Sequence, residues 1–232
     1  MVKKKAKMDI FYPSQETDET AVLSAPVILF VHGGYWQVGS RKIYSFVSKS
    51  WTKAGCVVAV VGYNLAPEAS LNQMVSEIKS AVKYINTRFP ESKLFLCGHL
   101  AGAHLCAMMM VSDWSKDPLI PRAIHGMFLL SGFFDLVPIV NTYVNDALRL
   151  TEESAAQISP QQILIKMSPK FVCPILVVME EHGSPEFHRQ AKEFVEILKS
   201  HNVQCSLLEL PGVDHFSMIE NMVNSNDLLF QE

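Results

Sequence analysis

Six short runs of large apolar residues, each followed by a more polar stretch, constrain the fold more than any other feature of this chain. They are "APVILFVHG" (25–33), "CVVAVVGYN" (56–64), "KLFLCGH" (93–99), "IHGMFLLSG" (124–132), "CPILVVME" (173–180) and "QCSLLELPG" (204–212). None alternates cleanly between apolar and polar positions. A strand with one wet face would do so, whereas an unbroken apolar run of this length suits a strand covered on both faces, the usual condition in a parallel sheet. Helical spacing fills the gaps at 41–54, 71–88, 101–114 and 185–201. In "LNQMVSEIKSAVKYINTRF", for example, Leu71, Met74, Val75, Ile78, Val82 and Ile85 recur at threes and fours and form one stripe of a helix. Strand and helix therefore alternate, which predicts an α/β fold: a mostly parallel sheet with helices on both faces. Residues 133–172 break the pattern with polar turns and weak helical spacing. They read equally well as an insertion beside a binding face or as an irregular connection.

Composition narrows the function classes. A chain of 232 residues, 49% apolar and 19% charged, suits one globular domain spanning 1–232. The net charge of −3 gives no electrostatic reason to expect nucleic acid or an anionic membrane as partner. The basic run Lys3-Lys4-Lys5 with Lys7 reads as an exposed, frayed end. No apolar run approaches the ~18 residues of a membrane span, and no apolar segment follows the basic start as a secretory signal would require. The five cysteines (56, 97, 106, 173, 205) are scattered through apolar segments with no Cys-x-x-Cys pair. Free thiols in a reducing compartment are expected, hence a cytoplasmic protein, with Cys97 and Cys106 as core residues.

Ligand sites in open α/β sheets gather where strands end at their carboxyl edge. Three such ends carry chemistry here. His32-Gly33-Gly34 leaves the first run, and glycines there let backbone N–H groups face a developing oxyanion. In "GHLAG", glycines two before and two after Leu100 fit the sharp strand-to-helix turn that presents a nucleophile. Finally, "LPGVDHFSMIEN" places His215 just after the last run. Oxyanion loop, elbow, acid position and histidine, in that order along the chain, is the order of α/β-hydrolases.

With these residues in place, "HGGYWQVGS", "GHLAGAHLCAMMM", "SGFFDLVPIV", "GSPEFHRQ" and "VDHFSMIEN" resemble kynurenine formamidases (arylformamidases), a family of α/β-hydrolases. The similarity runs from "KMDIFYP" at 7–13 to about residue 221. It implies the α/β-hydrolase fold and hydrolysis of N-formyl-kynurenine to kynurenine and formate in tryptophan catabolism. It also implies a serine, aspartate and histidine triad, a small aromatic amide or kynurenine-like ligand, and no metal or organic cofactor; a homodimer is left open. Carried over position by position, the oxyanion loop falls on Gly33, Gly34 and Tyr35, its N–H partner on Ala101, and the histidine on His215. Trp36 is expected on the rim of the site; Phe133, Phe134 and Phe216 sit at other strand ends, where they read equally well as aromatics stacking on an aryl ligand or, for some of them, as core residues. The family serine falls on Leu100 and the family aspartate on Gly183. Relative to the family the chain also reads as N-terminally shortened.

Leucine has no lone pair with which to attack a carbonyl, so covalent catalysis through residue 100 is excluded. Glycine at 183 cannot orient His215. Glu180 and Glu181 lie just upstream, within possible reach of the imidazole as replacement acids, although solvated turn carboxylates are the favoured reading for both. Two readings follow. In the favoured one the chain is a catalytically silent family member; in the other it hydrolyses with a displaced nucleophile or with water activated by His215. A truncated or divergent gene product is a third reading. On this view, restoring a triad requires Leu100→Ser and Gly183→Asp together.

Overall fold

The computed structural model describes residues 5–13 and 18–224. Of the basic run, Lys3 and Lys4 lie outside the described residues. Seven strands form one sheet in the order β1-β3-β2-β4-β5-β6-β7. They are β1 (Lys7–Phe11), β2 (Val27–Val31), β3 (Val57–Gly62), β4 (Leu94–His99), β5 (Ile124–Leu130), β6 (Ile175–Glu180) and β7 (Cys205–Leu210). Only β1, on the edge, runs antiparallel to its neighbour; every other pairing is parallel. This is the expected α/β-hydrolase architecture.

The non-alternating runs are explained by what each face meets. Val27, Leu29 and Val31 point into one apolar cluster, and Ile28 and Phe30 point into another on the opposite side of the sheet. Successive side chains leave a strand on opposite faces, so burying both requires apolar residues at every position. The first cluster is completed by α3 (Leu71–Arg88), α4 (Ala101–Val111) and α9 (Pro185–Ser200), the second by residues around α2 (Ser48–Lys53) and α10 (Ser217–Glu220). The shorter helices are α1 (Glu19–Ser24), α5 (Ile120–Ala123), α6 (Asn145–Leu148), α7 (Glu152–Gln157) and α8 (Pro160–Lys166).

Helix α3 spans 71–88 as its stripe predicts, and its first turn is capped by Ser70, whose hydroxyl accepts from Gln73 N at 3.2 Å. Helix α4 has no wet face: every residue from Ala101 to Met110 is buried, as the run "AGAHLCAMMM" requires of a helix enclosed by sheet, α3 and α8. It stops three residues short of the expected 114, because Ser112 turns extended and the Trp114 indole donates to Met109 O at 3.0 Å. Residues 41–54 split into a 3₁₀ turn (Ile43–Val47) and α2. The irregular stretch 133–172 holds a 3₁₀ turn (Val137–Asn141) and α6 to α8. All five cysteines are unpaired, and Cys97 and Cys106 are fully buried in the core. Among the described residues no helix is long and apolar enough to cross a membrane.

The topology fixes where a site can be. From β2 the chain moves to β3 on one side, then returns past β2 to place β4 on the other. The connections after β2 and β4 therefore diverge, and it is at the carboxyl ends of such strands that open α/β sheets place their ligand sites. Val31 is level with Gly98 in the register, so the glycine loop and the elbow emerge side by side.

Candidate active site

Leu100 occupies the turn between β4 and α4 with φ 54° and ψ −113°. A non-glycine residue in such a region costs of order 1–3 kcal/mol and persists only where its surroundings hold it. Here Leu100 N donates to Leu130 O at 2.9 Å, while Leu100 O accepts from Ala103 N and His104 N at 3.1 and 3.2 Å. The flanking glycines are required by contact. A Cβ on Gly98 would sit 2.3 Å from Gly102 O, and one on Gly102 would sit 1.9 Å from Val31 O. The Gly-x-x-x-Gly spacing is thus the signature of a true elbow, with helix pressed onto strand. The elbow has been kept although its tip is a leucine.

Beside the tip, the loop after β2 makes a tight turn in which Gly34 O accepts from Gln37 N at 2.9 Å and Val38 N at 3.0 Å. Tyr35 and Trp36 both take left-handed backbone conformations, with φ 51° and 60°. A Cβ on Gly33 would lie 3.1 Å from Leu100 Cβ, so loop and elbow are in direct contact. Ala101 opens α4, and its N–H has no acceptor within the helix. These are the elements from which an oxyanion site is assembled.

Trp36 is not on the rim. It is fully buried, and its indole donates to His104 Nδ1 at 3.2 Å, while His104 Nε2 donates to Ile158 O at 2.8 Å. Burial lowers the His104 pKa to about 4, so the ring is neutral, with one donor and one acceptor nitrogen, as this relay needs. The tryptophan pins the glycine loop to α4 and to the end of α7. Gln37 Nε2 adds a bond to Val144 O at 2.8 Å. Residues 133–172 therefore brace the site, which their composition did not decide. Phe134 is likewise a core residue, stacked on Phe194 at 4.0 Å. The aromatic wall is made instead by Tyr35, Phe133 and Phe187, with Phe133 5.6 Å from Tyr35 and 4.9 Å from Phe187. Phe187 stacks on His215 at 5.1 Å, and Phe216 is 70% exposed.

His215 stands in the loop between β7 and α10. Asp214 holds that loop by accepting from Phe216 N and Ser217 N at 2.9 and 2.8 Å. His182 N donates to Val213 O at 3.0 Å, and exposed Glu181 accepts from Gly212 N at 2.6 Å. His215 is thereby brought to the elbow: its ring lies 4.7 Å from that of His99, the residue before Leu100. His99 is buried with neither ring nitrogen partnered, and burial, with the nearby His215, lowers its pKa to about 3.

The expectation that His215 lacks an orienting partner is overturned. Its Nδ1 lies 3.1 Å from Glu180 Oε1, and the Glu180 side chain, far from being a solvated turn carboxylate, is fully buried. Glu181 is the exposed one. The second Glu180 oxygen accepts from the Ser131 hydroxyl, and the His188 ring bonds to the Glu180 carbonyl at 2.6 Å. Burial alone would raise the Glu180 pKa, but the hydrogen bonds from His215 and Ser131 outweigh it and hold the carboxyl below its ordinary range. An ionised carboxylate accepts only, so Nδ1 of His215 carries the proton and Nε2 is left as the basic nitrogen. The position of Glu180 at the end of β6 was visible in "CPILVVME"; its rotation inward was not.

The site thus combines an oriented histidine with donors suited to an oxyanion, and a leucine between them. The Ser131 hydroxyl is buried and committed to Glu180. The Cys97 and Cys106 thiols are buried, which pushes their pKa values up and keeps them protonated. Among the described residues no group of three or more His, Cys, Asp or Glu side chains is arranged to hold a metal ion.

Comparison with known proteins agrees with this anatomy. A family model described as "alpha/beta hydrolase fold" matches residues 28–219. Kynurenine formamidase from Danio rerio is 38% identical over 225 residues, covering 96% of this chain and 75% of that protein. The Salmo salar enzyme is 38% identical over 229 residues, covering 97% and 76%. Among solved structures, an esterase B from Lactobacillus rhamnosis superposes with a TM-score of 0.75 at 14% identity, over 97% of this chain and 76% of that one, a likeness of fold alone. The elbow, the glycine loop, the histidine after the last strand and this degree of identity together place the chain in the kynurenine formamidase family of α/β-hydrolase-fold proteins.

Proposed function

We propose that this chain is a cytoplasmic, non-hydrolytic member of its family that binds a small aromatic amide or acid of the kynurenine type. The observation that carries the reading is Leu100 at the tip of an intact elbow. The family reaction needs a nucleophile there; leucine supplies neither an electron pair nor a proton. Loss of a triad serine costs roughly 10⁶ in turnover, with the remainder supplied by the oxyanion donors and binding. The Leu100 side chain is itself buried, so a ligand would sit further out, against Tyr35, Phe187 and Phe216. Aromatic faces there favour an aryl group.

Titration of purified protein with kynurenine and with N-formyl-kynurenine, read by calorimetry, tests the binding half. Saturable binding below millimolar concentration, weakened at least tenfold by Phe187→Ala, is expected, with no formate released. Absence of binding at millimolar ligand would overturn it.

One observation favours a second reading, in which His215 activates water directly: the imidazole is oriented by Glu180. Slow formate release abolished by His215→Ala, and unaffected by serine-directed reagents, would select that reading.

A further inference from the structure

Gly183 and Glu180 are best understood as one change. The family acid falls on residue 183, and a Cβ built there would lie 2.8 Å from Glu180 Cγ, 2.8 Å from Cδ and 2.9 Å from Oε1. The space that a side chain at 183 would enter is therefore filled by the Glu180 carboxylate, which arrives from three residues upstream. Nor can that carboxylate easily yield. It is fully buried, bonded on one oxygen to His215 and on the other to Ser131, and its own backbone carbonyl is held by His188. Ser131 is itself fixed by its backbone, with φ 44° and its N–H donating to Val178 O at 2.8 Å.

We infer that Glu180 is the positioning residue for His215 in this chain, and that glycine at 183 is the vacancy that lets it serve. The substitution at 183 has therefore relocated the acid, and the base half of the site is intact. The inference stands whether or not the elbow turns over any substrate, so it is read first in the wild-type protein.

The test is nitrogen-15 NMR of the histidine side chains, with His215 assigned from a His215→Gln variant. A positioned His215 carries its proton on Nδ1, whereas a free imidazole favours Nε2–H. Wild type is expected to give the Nδ1–H form, with a protected N–H signal. Glu180→Ala should lose that signal, and so should Gly183→Ala, which keeps the carboxylate but crowds it. The exchange pair Glu180→Ala with Gly183→Asp should recover it, which a merely structural role for Glu180 would not produce. Should Glu180→Ala fail to fold, Gly183→Ala and the exchange pair still decide. An Nε2–H wild type, a signal unchanged in Gly183→Ala, or a folded exchange pair that recovers nothing would overturn the inference.

Discussion

Replacing Leu100 by serine would place a hydroxyl at the tip of the elbow, beside a histidine that Glu180 already orients. From sequence, with glycine at the acid position, the single variant should stay nearly silent, since losing the acid from a serine triad costs roughly 10⁴ in turnover. The structure removes that penalty, because Glu180 Oε1 already lies 3.1 Å from His215 Nδ1. Leu100→Ser then supplies the one missing group of a unit whose serine is worth roughly 10⁶. Allowing for a site never refined for its substrate, a gain of about 10³-fold over the parent is expected, against that ceiling. Truncating a buried leucine costs about 2–5 kcal/mol, so the variant is best assayed at low temperature after circular dichroism confirms its fold. Formate release from N-formyl-kynurenine measures turnover, and mass spectrometry after a fluorophosphonate probe locates the label at residue 100. Adding Gly183→Asp should lower the gain, since the new side chain enters the volume of Glu180. A folded Leu100→Ser variant that neither labels nor hydrolyses would refute the claim that His215 addresses the elbow. A gain that appears only with Gly183→Asp would refute the part given to Glu180.

Two further outcomes follow from the packing. Gly102→Ala puts a Cβ 1.9 Å from Val31 O, a contact with backbone on both sides, and should destabilise the fold by about 3 kcal/mol or more, read as a fall in thermal midpoint. His32, His99 and His104 are buried and neutral, with pKa values lowered chiefly by burial to about 4, 3 and 4. The unfolded chain protonates these rings near their ordinary 6.5, so their contribution is complete above that pH. It is lost as pH falls from about 6.5 to about 4 for His32 and His104 and to about 3 for His99, at about 1.4 kcal/mol per histidine per pH unit. Urea unfolding at pH 7, 6 and 5 should give steeply falling stabilities; a flat profile would mean that these rings take up protons while folded.

Much of this was legible because the signals were collective. Apolar runs without alternation gave six parallel strands, and the stripe on α3 gave its full length. The edge strand β1 was not read, because an edge has one neighbour and its residues need not be apolar on both faces. The elbow was found from Gly98 and Gly102, whose absence of side chains is a steric necessity that spacing can record. What sequence did not record was rotation and depth. Trp36 sits in a glycine loop whose residues are only partly covered, yet it swings fully into the core to meet His104, and Glu180 beside exposed Glu181 turns the opposite way. Adjacent residues at a strand end face opposite sides, and only the neighbouring Gly183, Ser131 and His215 decide which carboxylate is buried. Phe187 went unnoticed for the same reason: its role depends on where α9 begins relative to His215.

An assembled hydrolase elbow whose tip is leucine should be silent. The most direct measurement is formate release from N-formyl-kynurenine by the wild-type protein beside its His215→Ala variant. The expected result is no turnover beyond a trace, and no difference between the two. Turnover within about 100-fold of the ~10 s⁻¹ typical of enzymes, lost in His215→Ala, would contradict it.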